Sequence, residues 1–138
     1  MRIFLDACIL FSAARSGSLV SRFLVLLQEN TTLVTNHYAV QEARRNIQIK
    51  LPEHLLELDR LTAELEMVHS TTYFPEIAIR EKDRPILEGA ISAHCSHLLT
   101  SDKRDFGPFF GKKIQGVKVV SPEQLAKELV KKGILKRA

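Results

Sequence analysis

The feature that most constrains this chain is an alternation of brief apolar, β-favouring runs with longer stretches of helical periodicity. RIFL (2–5) opens it as a strand, and Ser18 caps the helical run LVSRFLVLLQEN, with the residues between read as loop. TTLVT (31–35) is a second strand, after which Thr35 or Asn36 caps a helix through HYAVQEARRNIQIK. Pro52 suits the first turn of another helix, with Leu55, Leu58, Leu61 and Leu65 on one face. A short strand is expected over Met67 to His69, and Pro75 breaks up the β-rich segment after it, which reads as an irregular connection to Lys82. Asp83 caps DRPILEGAISAHC, HLLTS is a strand, and VKVV is the last strand. Ser121 and Pro122 then start the helix PEQLAKELVKK, which ends at Gly133. Short strands alternating with helices predict an α/β fold: a parallel sheet covered on both faces, in a three-layer sandwich.

A length of 138 residues with 45% hydrophobic composition suits one domain over 1–138, its core needing neither disulfides nor a structural metal. The basic tail from about residue 133 is expected to fray. Cys8 and Cys95 are too few and too far apart for a disulfide framework or a zinc site, and are expected as reduced thiols of a cytoplasmic protein. The apolar N-terminus imitates a secretory signal, but Asp6 interrupts it, and no uncharged stretch reaches the ~18 residues of a membrane span. A soluble protein with no membrane partner is therefore expected. Lys plus Arg exceed Asp plus Glu by 20 to 16, a net charge of +4 that favours an anionic partner.

In an open parallel sheet, ligands bind beyond the carboxyl ends of the strands. Asp6 ends the first strand and Asp102 directly follows HLLTS, which puts both on one rim. Glu42 lies two turns into the helix that leaves TTLVT. Asp83 begins the helix that feeds HLLTS and is expected at the opposite edge unless its incoming connection carries it over the top. Structural roles compete for each: Asp83 as a cap, Glu42 as a solvated helix residue, Asp102 as the cap of KRDF. Asp6, flanked by Leu5, Ala7, Cys8 and Ile9, needs something to offset its charge. Two carboxylates ~4 Å apart repel by roughly 4 kcal/mol at an effective dielectric of about 20. A cluster of them must take up protons or cations, and Mg²⁺ or Mn²⁺ suits all-oxygen ligands. His37, His94 and His97 lack zinc-like spacing and read as helix-end or buried polar residues. Such a site on a basic protein points to phosphate chemistry.

RIFLDACIL, HYAVQEARRN, KDRPILEGAISAHCSHLLTSDKRDF and VKVVSPEQL, in this order and spacing over nearly the whole chain, resemble the PIN domain nucleases, in particular the toxin-like, VapC-type members. The resemblance implies a PIN-like fold in which Asp6, Glu42, Asp83 and Asp102 are the catalytic, metal-binding acids, with Asp105 accessory to them. Thr100 or Ser101 matches the polar residue beside the last aspartate. It implies that Asp83 reaches the acidic site, and that the activity is Mg²⁺- or Mn²⁺-dependent cleavage of single-stranded RNA by metal-activated water. It further implies the toxin half of a toxin–antitoxin pair, with a small antitoxin protein as partner, and is compatible with a homodimer. The segment from His69 to Lys82 matches nothing in the family pattern.

Arg15, Arg44, Arg45, Lys103 and Arg104 neighbour the acids in sequence, and Arg44, Arg45, Ser101, Lys103 and Arg104 are the candidate contacts to the RNA strand. Two other function classes compete. A non-catalytic RNA- or protein-binding module of the same fold is disfavoured by the presence of all four acids. A phosphotransfer enzyme using Asp6 is disfavoured because Cys8 stands where a second aspartate or threonine would be needed, and no glycine-rich phosphate loop exists.

Overall fold

Six short strands build one sheet: β1 (Arg2–Leu5), β2 (Thr32–Asn36), β3 (Glu66–Val68), β4 (His97–Leu99), β5 (Lys113–Ile114) and β6 (Val117–Val120). A computed structural model describes residues 1–69 and 72–136. The sheet order is β3-β2-β1-β4-β6-β5, parallel throughout except for β5, which runs antiparallel to β6. Central β1 and β4 are largely apolar at their buried positions, as strands covered on both faces must be: Ile3, Phe4, Leu5, Leu98 and Leu99 have no solvent exposure, and His97 at the start of β4 is the buried polar exception. Burying each such side chain contributes about 1.5–3 kcal/mol.

Seven helices connect the strands among the described residues: α1 (Ala7–Ala13), α2 (Leu19–Asn30), α3 (His37–Lys50), α4 (Leu55–Ala63), α5 (Arg84–Ser92), α6 (Lys103–Phe106) and α7 (Pro122–Lys131). Most follow the expected periodicity, and the caps explain their starts. Ser18 accepts the Ser21 N–H, Asn36 accepts the Ala39 N–H, and Ser121 forms a reciprocal capping box with Gln124. None is long and apolar enough to cross a membrane.

The departures from expectation have local causes. The residues after Asp6, read as loop, form α1, because Asp6 itself caps the helix and ACILFSA buries Ala7, Ile9, Leu10 and Ala13. Pro52–His54 makes a separate 3-10 turn, and α4 stops at Ala63, so that Leu65 is buried just ahead of β3 rather than on the helix face. The antiparallel β5 was hidden inside a Gly- and Lys-rich run, and a tight turn with Gln115 and Gly116 both at positive φ joins it to β6. The last residues of the basic tail, 137 and 138, lie outside the described residues.

Two buried contacts fix the part of the chain that the sequence left unplaced. The Arg84 guanidinium donates to the carbonyls of Phe74 and Ile77, each at 2.9 Å, and pairs with Glu88, whose Oε2 accepts the Phe74 N–H at 2.6 Å. The connection before α5 is thereby anchored to α5 itself. Gly89 lies where α5 crosses the sheet: an added Cβ would come within 2.6 Å of Asn36 Nδ2 and 3.3 Å of the Phe4 ring. That close approach lets Asn36 cap α3 with its oxygen while its Nδ2 donates to the Pro85 carbonyl at 3.1 Å.

Candidate active site

The carboxyl ends of β1 and β4 lie side by side, Leu5 opposite Leu99; Asp6 follows β1 at once, Asp102 follows β4 after Thr100 and Ser101, and each acid caps a helix. Asp6 is buried. Its Oδ1 accepts the Ala7 N–H at 2.7 Å and its Oδ2 accepts the Thr100 hydroxyl at 2.7 Å. Thr100, with no solvent exposure, also accepts the Asp102 N–H at 3.1 Å, so one hydroxyl ties the ends of both strands together. Asp102 Oδ1 accepts the N–H groups of Arg104 and Asp105, both at 3.0 Å, which starts α6 and turns Asp105 back toward the rim.

Asp83 also comes to this edge. A helix joining two parallel strands runs antiparallel to them, so its N-terminus lies at the strands' carboxyl edge by default, and the expectation that Asp83 would start at the opposite edge was mistaken. Asp83 makes no capping hydrogen bond, and its Oδ2 is buried with no hydrogen-bond partner among the described residues. Beside it, Asp105 is paired with Arg80 at 2.9 Å and Lys82 at 3.2 Å, both carried by the connection that Arg84 anchors.

Together Asp6, Glu42, Asp83, Asp102 and Asp105 line one cleft of about 440 Å³. Cys8, Phe11, Asn46, Lys50, Lys82 and Arg104 complete its wall. The sequence reading missed Asn46 and Lys50, although Glu42, Asn46 and Lys50 recur at every fourth residue of α3 and so form one stripe. Lys82 could have been found as the immediate neighbour of Asp83.

The electrostatics follow from the geometry. Burial raises Asp6 to about 6 against the pull of its hydrogen bonds, and the Glu42 charge adds to the rise. Burial and the adjacent Asp105 carboxylate push Asp83 to about 7. Burial would raise Asp105 too, but hydrogen bonding, including that from the Lys82 ammonium, outweighs it and holds Asp105 below the usual carboxylate range. The cleft thus presents carboxyls that hold protons where aspartates ordinarily do not.

Of the candidate strand contacts, only Arg104 lines this cleft. Arg44 points away from the Glu42 stripe and forms an ion pair with Asp59. Arg45 and Ser101 are exposed outside it, and Lys103 borders a separate depression with Gly107, Phe110 and Ser121. Thr100, rather than Ser101, is the polar residue in contact with the acids.

The donor set fits a hard divalent cation in its chemistry: every candidate ligand is a carboxylate oxygen, one of them buried and unpaired, and the raised pKa values mark a place where added positive charge is favoured. Among the described residues no three or more His, Cys, Asp or Glu side chains stand, as placed, where together they could hold a metal ion.

No protein-family model matches the chain, and no curated protein matches it. Solved structures do. One is a chain of VapBC2 from Rickettsia felis, solved bound to a DNA fragment from their promoter: TM-score 0.67, 19% identity, covering 88% of this chain and 98% of that one. Another is Mycobacterium tuberculosis VapC20, described as a sarcin-ricin loop cleaving toxin: TM-score 0.55, 11% identity, covering 82% and 97%. The chain has the VapC-type PIN domain fold.

Proposed function

We propose that this protein is a Mg²⁺- or Mn²⁺-dependent endoribonuclease that cleaves single-stranded RNA, acting as the toxin of a toxin–antitoxin pair. The observation that carries the reading is the convergence of five carboxylates from four separate elements on one cleft, with Asp83 Oδ2 buried and unpaired. The fold shared with a sarcin-ricin loop cleaving toxin supports the choice of substrate, and the fold shared with a VapBC2 chain supports a small antitoxin as partner.

Asp6, Glu42, Asp83 and Asp102 would hold the cation, with Asp105 alongside. When bound, the cation activates water and offsets the charge that develops on the phosphodiester. The remaining work falls to the chain. Thr100 keeps the Asp6 carboxylate oriented by its 2.7 Å hydrogen bond and fixes its spacing from Asp102. Lys82 and Arg80 pair with Asp105 and favour its ionised form, so the proton of the Asp83–Asp105 pair would reside on Asp83 in the absence of a cation. Arg104 and Lys50 on the cleft wall attract the RNA phosphates to the acids.

The test is the chemistry of the products. Wild-type protein with Mn²⁺ should cut single-stranded RNA internally, leaving 5′-phosphate and 3′-hydroxyl ends, and EDTA should stop it. Products ending in a 2′,3′-cyclic phosphate would show the ribose hydroxyl to be the nucleophile and overturn the reading.

A further inference from the structure

The sheet has a second charged end. At its amino edge, opposite the acids, a cleft of about 940 Å³ is lined by Lys113, Lys118, Lys127, Lys131 and Lys132 around His97 and Glu128. β6 delivers Lys118 beside His97, its register partner on β4, and α7, running back across the sheet, brings the other lysines of its last turns to the same place. Glu128 is the single acid lining it, and it is fully engaged: Lys118 donates to its Oε1 at 2.9 Å, while His97 at 2.7 Å and Lys132 at 3.2 Å contact its Oε2.

The arrangement runs against local electrostatics. Lys113 and Lys118 are direct cross-strand partners in the antiparallel β5–β6 pair, where like charges are destabilising. Lys127 and Lys131 stand four apart on α7, again a like-charge pair. The dipole of α7 favours cations at Lys131 and Lys132, and Lys127 has an exposed i,i+4 ion pair with Glu123 at 3.1 Å, but neither accounts for Lys113. Among the described residues, Lys113 and Lys131 have no acidic partner within ion-pair distance. Its unpaired cations are lysine point charges, no Phe, Tyr or Trp lines it, and the one imidazole, His97, is buried against Glu128, a surface suited to a run of phosphates rather than to stacked bases.

We infer that this lysine cleft binds the phosphodiester backbone of a single-stranded nucleic acid, as a second contact remote from the acidic cleft. It rests on the nuclease reading for its biological substrate, RNA, but not for the binding itself. Sequence-independent backbone contact here lengthens the bound strand and adds affinity that salt removes.

The test uses full-length protein, in EDTA to prevent cutting, and a fluorescently labelled RNA strand of about 20 nucleotides. Replacing Lys113→Gln, Lys127→Gln and Lys131→Gln together removes three phosphate contacts. At ~0.1 M salt the variant should bind about 100-fold more weakly, and its slope of log affinity against log salt should be shallower by about 2. Its melting temperature should stay close to that of wild type, since relief of like-charge repulsion offsets loss of the exposed Lys127–Glu123 pair. Single-stranded DNA of the same sequence, run in parallel, assigns the contact to the backbone alone if it binds equally, and to RNA if it binds more weakly. Unchanged affinity and salt slope in the folded variant would overturn the inference, as would displacement of RNA from wild type by poly-glutamate as effectively as by unlabelled RNA. Cleavage is scored separately. A wild type that binds through these lysines but never cuts overturns the nuclease reading and leaves this inference standing.

Discussion

The two ends of β4 treat buried charge in opposite ways. At the amino end, buried His97 and half-buried Glu128 form a partnered set: Glu128 receives hydrogen bonds from His97, Lys118 and Lys132. Burial, which would raise the Glu128 carboxyl, is outweighed by the Lys118 and His97 contacts, and it sits at about 2. At the carboxyl end, Asp6 and Asp83 rise to about 6 and 7, and one buried oxygen has no partner. Satisfied buried charge contributes to stability and requires nothing further. Unsatisfied buried charge of one sign persists in a folded protein where a ligand completes it.

The largest expected effect separates these ends by activity. Asp6→Asn should reduce RNA cleavage at least 100-fold, the loss of a group acting on the reacting centre, while Glu128→Gln leaves the acids in place and, at saturating RNA, reduces cleavage only in proportion to folded protein. Comparable losses per folded molecule would erase the distinction.

Next comes the pH dependence of stability, where the two ends have opposite signs. Carboxyls raised in the folded state contribute stability that is complete below their unfolded pKa and is lost as pH rises through the folded value. For Asp6, between its ordinary 3.8 and about 6, that loss is at most about 3 kcal/mol. Glu128, depressed from 4.5 to about 2, contributes stability present above 4.5 and lost as pH falls toward 2. Denaturant midpoints of metal-free protein should therefore decline from about pH 4 to 7, and Asp6→Asn should flatten that decline. An unaltered decline in Asp6→Asn would assign it to other groups.

A third effect is structural. Glu128→Gln should cost about 1–3 kcal/mol by weakening charge-assisted hydrogen bonds to His97, Lys118 and Lys132. Asp83→Asn should fall within about 1 kcal/mol of wild type or be stabilising, because it removes repulsion with Asp105. Chemical denaturation of both variants at neutral pH checks the pair; a strongly destabilised Asp83→Asn would make that residue structural. Gly89→Ala should cost about 1–3 kcal/mol, since its methyl would displace the Asn36 amide or the Phe4 ring.

Much of this was legible in the sequence wherever a single strong signal spoke. Ser18 marked one helix start, Thr35 or Asn36 bracketed the next, and an acid after RIFL and after HLLTS marked the rim. What was hidden depended on contacts between distant segments. α1 escaped notice because its cap, Asp6, is also the strand's end and no Gly or Pro separates the two. The connection through Pro75 is shaped by Arg84 and Glu88, whose spacing on α5 says nothing of the carbonyls they would meet. Thr100 and Ser101 are equivalent in sequence, and only the fold buries one against Asp6. The lysines of the amino edge come from β5, β6 and α7, and sequence proximity favoured arginines that the fold turns elsewhere.

The central claim is that the unpartnered acids form a cation-dependent cutting site, and the most direct measurement is the single-turnover cleavage rate of single-stranded RNA against Mn²⁺ concentration for wild type and Asp83→Asn. Both proteins are first shown, in EDTA, to bind the RNA equally. The account predicts a saturable rise in rate for wild type and, for Asp83→Asn, a rate lower by at least about 100-fold at every Mn²⁺ concentration. Equal rates in the two proteins, or a wild-type rate indifferent to Mn²⁺ and EDTA, would contradict it and leave the cleft a binding surface without catalysis.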